Sequence, residues 1–146
     1  MRLSNMASNN LFLEIVAPSG IVFEGEVNSF SVPSYNGTLT ILPHHAPLFT
    51  KLIEGEVRVA FENKSTTLII SGGFLEVKNN SAHILSDYAV RAESIEIAKS
   101  EERKRLAEQK LKEKLDVRDF ITVDKDLKMS ILELKVAEKI RKRHRS

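Results

Sequence analysis

The stretch Val32–Val59, VPSYNGTLTILPHHAPLFTKLIEGEVRV, alternates turn residues with short apolar runs. Asn36-Gly37 is typical of a type I′ hairpin turn, because both central residues of that turn need a positive φ. We expect Gly55 to reverse the chain into a strand at Glu56–Phe61, where alternate side chains share one face. The stretch therefore predicts tightly turned antiparallel strands. It contains no nucleophile–base pair and no phosphate-binding loop.

The rest of the N-terminal half continues this pattern. Apolar and polar residues alternate in runs such as Leu11–Val16, and turn signals such as Ser71–Gly73 separate the runs. All six glycines and all four prolines lie in this half. Many short strands at a spacing of roughly 8–12 residues are typical of an antiparallel sandwich or barrel. We therefore predict an all-β plus α fold whose first domain is an antiparallel β-sandwich at residues 10–90.

The composition changes after the predicted sandwich. From Glu93 onward there is neither glycine nor proline, and Ala, Leu, Glu, Lys and Arg dominate. These residues are strong helix formers. We predict a first helix at Ser94–Lys114 and a second that begins at a cap on Asp124 or Asp126. Two helices joined by a short turn give a two-helix antiparallel hairpin, which we place at residues 91–146.

Composition also excludes some classes of protein. The 146 residues contain no cysteine, which excludes a disulfide framework and a thiolate metal site. No apolar run approaches the roughly 20 residues that span a bilayer as a helix. Residues 1–9 lack the apolar core of a secretory signal, so we expect a disordered leader, with Met1 or Met6 as the start.

Charge is distributed unevenly along the chain. Residues 1–91 hold 6 Lys and Arg against 8 Asp and Glu, a net charge of −2, and residues 92–146 hold 16 against 12, a net charge of +4. Five basic residues of the second helix are the candidates for contact with an acidic partner: Lys135, Lys139, Arg141, Lys142 and Arg143. The alternatives are solvation at a helix C-terminus and nucleic-acid binding, and the lack of interleaved aromatic residues argues against nucleic acid.

Two other groups suggest chemistry that we do not predict. His44 and His45 are adjacent and cannot easily chelate one ion, so we expect them to shape a turn and to contact a partner. Glu54 and Glu56 flank Gly55, but nothing nearby would raise a carboxyl pKa or supply a nucleophile. The sequence therefore predicts neither an active site nor a metal site.

The second helix carries two apolar stripes about half a turn apart, although a helix packed on one surface needs only one. The stripes are Leu127, Ile131 and Leu134, and Met129, Leu132, Val136 and Ile140. One interpretation is that the first helix covers one stripe and the sandwich covers the other. The second interpretation is that the helix has two alternative partners. The sequence does not distinguish these two interpretations.

Two motifs resemble those of the ε subunit of F-type ATP synthases. The family motifs are VPG-x-x-G-x-x-G-[IV]-L-P-x-H-A-P-L and, later, G-G-F-x-E-V. Here they read VPSYNGTLTILPHHAPL at residues 32–48 and GGFLEV at residues 72–77. Ser34 and Thr40 stand where the family usually has glycine, which affects the expected turn geometry. The resemblance extends roughly from Leu11 to the C-terminus.

The resemblance implies a non-catalytic rotor subunit of a proton-translocating enzyme complex. The sandwich would contact the γ subunit and the membrane-embedded c-ring, with Tyr35, Asn36, His44 and His45 as candidate contact residues. The basic helix would meet acidic loops of the β (and α) subunits and inhibit ATP hydrolysis, switching between folded and extended forms. Nucleic acid would have no part. The chain would associate with the cytoplasmic face of the bacterial inner membrane only through the complex.

Some members of that family bind ATP through the motif [IL]-D-x-x-R-A. The matching residues 95–100 read IEIAKS, so Glu96 and Lys99 replace the Asp and the Arg. Lysine lacks the planar, bidentate fork of arginine. We therefore expect no cofactor, and ATP binding weaker than about millimolar. The competing hypothesis is a free-standing ligand-binding β-sandwich with a helical oligomerisation tail.

Overall fold

The computed structural model describes residues 9–145, and side chains as far as Arg143. The strands are β1 (Leu11–Ala17), β2 (Gly20–Val27), β3 (Ser29–Ser34), β4 (Gly37–Ile41), β5 (Leu48–Phe61), β6 (Lys64–Lys78), β7 (Ser81–Leu85) and β8 (Ala89–Arg91). A 3₁₀ turn at Ala92–Ser94 precedes α1 (Ile97–Leu111) and α2 (Val117–Arg145). The predicted sandwich followed by two helices is confirmed. The predicted leader, apart from Asn9, lies outside the described residues.

The eight strands form one sheet that folds over a shared core. Their order is β2-β1-β7-β6-β5-β3-β4, with β8 also paired to β6. The β1–β7 pair is parallel and the other described pairs are antiparallel. Alternation decides which residues enter the core, as in β1, where Leu11, Leu13 and Ile15 are fully buried. The chain divides into two compact units, and the boundary lies between Arg91 and Ala92.

Two predicted turns are instead close contacts inside long strands. β5 runs through Gly55 and β6 runs through Gly73 without interruption. A Cβ at Gly55 would lie 2.9 Å from the Pro33 ring, and a Cβ at Gly73 would collide with the carbonyl oxygen of Leu85. Glycine is therefore needed for close backbone approach rather than for reversal. The predicted turns at Gly55 and at Ser71–Gly73 are wrong, and β5 and β6 each contribute to both layers of the sandwich.

The β3–β4 hairpin turns one residue earlier than predicted. Ser34 pairs with Gly37, so the loop residues are Tyr35 and Asn36. Neither has a positive φ, whereas Gly37 has a φ of 115°. The predicted type I′ turn at Asn36-Gly37 is therefore wrong. The buried hydroxyl of Ser34 donates to the carbonyl of Gly37 and accepts from the N–H of Asn36, which fixes this alternative turn.

The second helix begins several residues earlier than predicted. Asp116 caps it, since its carboxylate accepts a hydrogen bond from the backbone N–H of Asp119 at 2.8 Å. The caps predicted at Asp124 and Asp126 are therefore wrong. The β-branched residues at 117–123 have low helix propensity. They are nevertheless helical, because Asp116 caps the helix before them and the turns that follow continue it. α1 is correspondingly shorter than the predicted Ser94–Lys114.

Packing in the helical unit buries one of the two predicted stripes. α1 and α2 contact each other along their length. Met129 and Val136 of the second stripe are 4% and 1% exposed, and Ala107 of α1 is also buried. Ile131 of the first stripe remains 44% exposed. The hairpin therefore leaves Ile131 exposed, while the other two residues of the first stripe, Leu127 and Leu134, are half-buried.

Candidate functional site: partner-binding surfaces

The two sandwich loops named by the sequence motif lie at opposite ends of β4. Tyr35 and Asn36 precede this strand, and His44 and His45 follow it. The five residues of β4 separate the two loops by roughly 16 Å at the usual rise per strand residue. The structure therefore does not bring these four candidates into one site. Tyr35 is 76% exposed, so its ring is available to a partner.

The Leu42–Pro47 loop is held by a tight turn. The backbone N–H of His45 donates to the carbonyl of Leu42 at 3.2 Å, and His44 has a φ of 63°. Pro43 at the second position and a positive φ at the third are the features of a type II turn. His44 is exposed and His45 is half-buried. The loop thus presents a fixed backbone shape, and its partner contact remains a prediction.

An apolar surface that the sequence analysis did not find covers part of the outer face of the sandwich. Four exposed side chains form it, and we call it the outer patch: Phe49, Ile53, Phe74 and Leu85. The rings of Phe49 and Phe74 stack with centroids 5.8 Å apart and an interplanar angle of 18°. Phe74 lies directly opposite Leu85 in the β6–β7 register. Exposed apolar patches of this kind mark interaction surfaces.

The outer patch continues into a shallow groove of about 390 Å³. Val16, Pro18, Phe74 and Leu85 line it with mainly apolar surface. Val16 is the register partner of Leu85 across the parallel β1–β7 pair. A signal for this surface was present in the sequence, because Phe49 and Phe74 occupy outward positions of strands whose inward positions are also apolar. Large apolar residues on both faces of a strand indicate a second buried or binding face.

A charged cluster lies inside the helical hairpin, and we call it the hairpin ion cluster. Glu133 is 3% exposed, and its carboxylate accepts a hydrogen bond from the Ser100 hydroxyl at 2.8 Å. The Arg103 guanidinium donates to Glu133 at 3.2 Å and to Asp126 at 3.1 Å. Burial lowers the pKa of Arg103, but the hydrogen bond to Asp126 and the charge of Glu133 outweigh it and raise that pKa. The cluster joins the two helices.

An ion pair on the surface of α1 joins Arg105 to Glu102. Glu101 and Arg105 have the favourable i, i+4 order, yet Arg105 bonds to Glu102 at 2.6 Å. Both partners are more than half exposed. The hydrogen bond from Arg105 lowers the pKa of the Glu102 carboxyl. Because both partners are exposed, this pair contributes little to stability.

The two nucleotide candidates pair with each other. The Lys99 ammonium lies 3.1 Å from the Glu96 carboxylate, and both side chains are largely exposed. This geometry therefore adds nothing to the sequence motif as a reason to expect ATP binding at these residues.

The basic candidates of α2 are all exposed: Lys135, Lys139, Arg141, Lys142 and Arg143. They give the second half of α2 a positive surface near the helix C-terminus, where positive charge is also favoured by the helix dipole. Across the described residues, no group of three or more His, Asp or Glu side chains is arranged to hold a metal ion. Within the same part of the chain, no helix is long and apolar enough to cross a bilayer.

The model of one protein family matches the strands that carry the loops and the outer patch. It is the β-sandwich domain of the ATP synthase delta/epsilon chain, and it matches residues 10–92, more than half of the chain. The chain belongs to this ATP synthase delta/epsilon family. Family membership makes the chain a subunit of ATP synthase, in which the complex is the enzyme and this subunit is not catalytic.

Relatives of this ATP synthase subunit match beyond the sandwich. An ATP synthase epsilon chain of Dehalococcoides mccartyi is 40% identical over 134 residues, which is 90% of this chain and 95% of the relative. The epsilon chain of Halorhodospira halophila is 36% identical over 92% of this chain and 97% of its own length. The epsilon chain of Pelotomaculum thermopropionicum is 39% identical over 75% of this chain and 81% of its own length.

Solved structures show the same fold at low identity. A chain in the Euglena gracilis mitochondrial ATP synthase superposes with a TM-score of 0.64 at 20% identity, covering 92% of this subunit and 81% of that chain. A chain in the central stalk and c-ring of the Tetrahymena thermophila mitochondrial ATP synthase superposes with a TM-score of 0.56 at 14% identity. This match covers 86% of this subunit and 95% of that chain. Both matches extend over the strands and the helices of the ATP synthase subunit.

Proposed function

We propose that this ATP synthase subunit is a central-stalk rotor component that couples c-ring rotation to the catalytic head through the γ subunit. The outer patch is the observation that carries the proposal. Its stacked Phe49 and Phe74 rings lie on a face that the core of the sandwich does not use. A partner that covers these rings stabilises the complex by about 25 cal/mol for each Å² of apolar surface removed from water.

The sandwich offers surfaces for two partners. The outer patch is broad and apolar, which suits a permanent contact with the γ subunit. The exposed loop at Tyr35 and the polar loop at His44 and His45 lie at the ends of β4 and are suited to smaller contacts with γ and the c-ring. Permanent attachment at one surface and limited contact at another would let the subunit turn with the rotor.

Co-purification tests the first part of this proposal. The tagged full chain, expressed in its source, should co-purify with the α, β and γ subunits and the c-ring. Phe74→Ser should weaken this association. Phe120→Ser is a matched control, because Phe120 is exposed to a similar degree, 50% against 46%, but lies on α2. A homo-oligomer without other subunits would overturn the proposal, and equal retention in both variants would exclude the outer patch as the γ contact.

We propose further that the helical hairpin inhibits ATP hydrolysis. The positive surface of α2 complements an acidic loop of a β or α subunit, and the exposed side chain of Ile131 gives a second point of contact. Single exposed ion pairs contribute only about 0–1 kcal/mol. Several together shift a two-state equilibrium by a few kcal/mol, which changes its populations strongly.

Charge neutralisation tests the proposed inhibition of ATP hydrolysis. The variant replaces five basic residues of α2 by glutamine: Lys135, Lys139, Arg141, Lys142 and Arg143. The control makes an equal charge change on and after α1: Lys99, Lys104, Lys110, Lys112 and Lys114. The α2 variant should raise ATP hydrolysis by the reconstituted complex, and the control should not. Hydrolysis at the unmodified rate, with assembly verified, would show that the charge of α2 serves solvation only.

The proposed location follows from the proposed assembly. The subunit would be peripheral, on the cytoplasmic face of a bacterial inner membrane, attached through its partners and without nucleic acid. The free-standing ligand-binding sandwich is the competing hypothesis, and it would use the exposed aromatic pair for a ligand. Membership in the ATP synthase family favours the rotor subunit over that hypothesis.

A further inference from the structure

Asn80 lies between β6 and β7, far along the chain from the Leu42–Pro47 loop, yet its side chain contacts that loop. Its carboxamide oxygen accepts a hydrogen bond from the backbone N–H of His44 at 2.8 Å. Its carboxamide nitrogen donates to the carbonyl of Asn10 at 2.9 Å. One half-buried side chain therefore joins the loop to the residue that precedes β1.

The hydrogen bond to His44 acts on the peptide group that distinguishes one turn type from another. Pro43 and His44 are the central residues of the turn, so the N–H of His44 belongs to the peptide between them. Type I and type II turns differ mainly by a flip of this central peptide. An acceptor fixed on one side of the turn therefore selects one type. Asn80 supplies that acceptor on the side that the type II turn requires.

The local sequence by itself does not favour the observed turn. Type II needs a positive φ at its third position, which glycine and asparagine adopt more readily than other residues. His44 occupies that position with a φ of 63°. We infer that Asn80 is a positioning residue that holds the Leu42–Pro47 loop in its type II form and sets how the loop meets a partner subunit, a role that rests on the proposed function.

NMR of the full chain tests the positioning step without any partner. Asn80→Gly keeps a residue that tolerates the positive φ of 59° and removes the side chain with its carboxamide. Asn79→Gly is the matched control, because Asn79 has a φ of 52° and an exposed side chain. The NOE between the Pro43 Hα and the His44 amide proton is strong in type II and weak in type I, because the central peptide flips. It should weaken in Asn80→Gly and not in Asn79→Gly.

A rescue variant separates turn geometry from general stability. His44→Gly added to Asn80→Gly restores a residue that readily takes a positive φ, so the strong NOE should return although the hydrogen bond stays absent. An unchanged NOE in Asn80→Gly would overturn the inference. A weakened NOE that the added glycine does not restore would show that Asn80 acts through stability alone, which would also overturn it.

Binding tests the consequence for assembly. The probe is a γ–c-ring assembly taken from an ATP synthase preparation that lacks this subunit. Asn80→Gly should weaken binding of the full chain by roughly three- to tenfold, the range given by loss of one hydrogen bond, whereas the control Asn79→Gly should leave binding unchanged. Equal binding with a weakened NOE would overturn the partner role of the loop. Failure of the unmodified chain to bind would instead refute the proposed function, while the NOE still decides whether Asn80 sets the turn.

Discussion

Removing Arg103 should destabilise the helical hairpin, because the buried Glu133 carboxylate would lose the guanidinium that donates to it. Glu133 is 3% exposed, and the Ser100 hydroxyl donates to its carboxylate at 2.8 Å. Breaking a buried ion pair costs about 3–5 kcal/mol, and a hydrogen bond to a charged group contributes about 1.5–3 kcal/mol. The Arg103 side chain is 37% exposed, so water reaches the vacated space. We therefore expect Arg103→Ala to destabilise the hairpin by about 2–3 kcal/mol.

Native-state hydrogen exchange measures this loss inside the full chain. At a factor of ten for each 1.4 kcal/mol, exchange at the buried amide of Ala107 should accelerate by about 30- to 140-fold in Arg103→Ala. Arg105→Ala is the matched control, because Arg105 forms an exposed pair with Glu102 on the same helix. It should change exchange by no more than about fivefold.

A double-mutant cycle identifies the cause. If the penalty comes from loss of the Arg103 charge beside the buried carboxylate, Glu133→Ala should relieve much of the effect of Arg103→Ala, so the two changes should be strongly non-additive. Equal exchange in Arg103→Ala and Arg105→Ala would refute the reasoning. Additive effects of the two changes in the cluster would refute it as well.

Three further predictions concern other parts of the molecule. Because Arg105 lowers the pKa of Glu102, the stability from this pair is present above the ordinary carboxyl pKa and is lost as the pH falls through the lowered one. An NMR titration should find the ordinary pKa in Arg105→Ala, and an unchanged midpoint would contradict the pairing. Gly73→Ala should destabilise the sandwich by about 1–3 kcal/mol in urea unfolding, because its methyl group meets the carbonyl of Leu85, and unaltered stability would mean a looser contact. A chain that ends at Arg91 should keep a dispersed proton NMR spectrum, whereas a molten spectrum would place the unit boundary elsewhere.

The fold class could be predicted because it depends on local pattern. The alternation at Leu11–Ile15 decides which face is buried, and the absence of glycine and proline after Glu93 favours helices. The turns could not be predicted in the same way. A glycine that reverses the chain and a glycine that admits a neighbouring backbone look alike in sequence. At Gly55 and Gly73, the deciding neighbours come from distant strands.

The candidate surfaces also differ in whether their residues are adjacent in sequence or come from distant strands. The loop at His44 and His45 could be found because its motif is continuous in sequence. The outer patch draws Phe49, Phe74 and Leu85 from three strands, and only the register brings them together. Glu133 likewise has the composition of a surface helix residue, and only the pairing of α1 with α2 shows that it is buried.

The continuity of β5 and β6 has a mechanical consequence. When a two-layer β-protein is loaded sideways, weak side-chain contacts commonly carry the force from one layer to the other. Here two neighbouring strands of 14 and 15 residues belong to both layers, so covalent backbone carries that force. The ladder of hydrogen bonds between them resists sliding of one strand along the other. The sandwich is therefore stiff against shear between its layers.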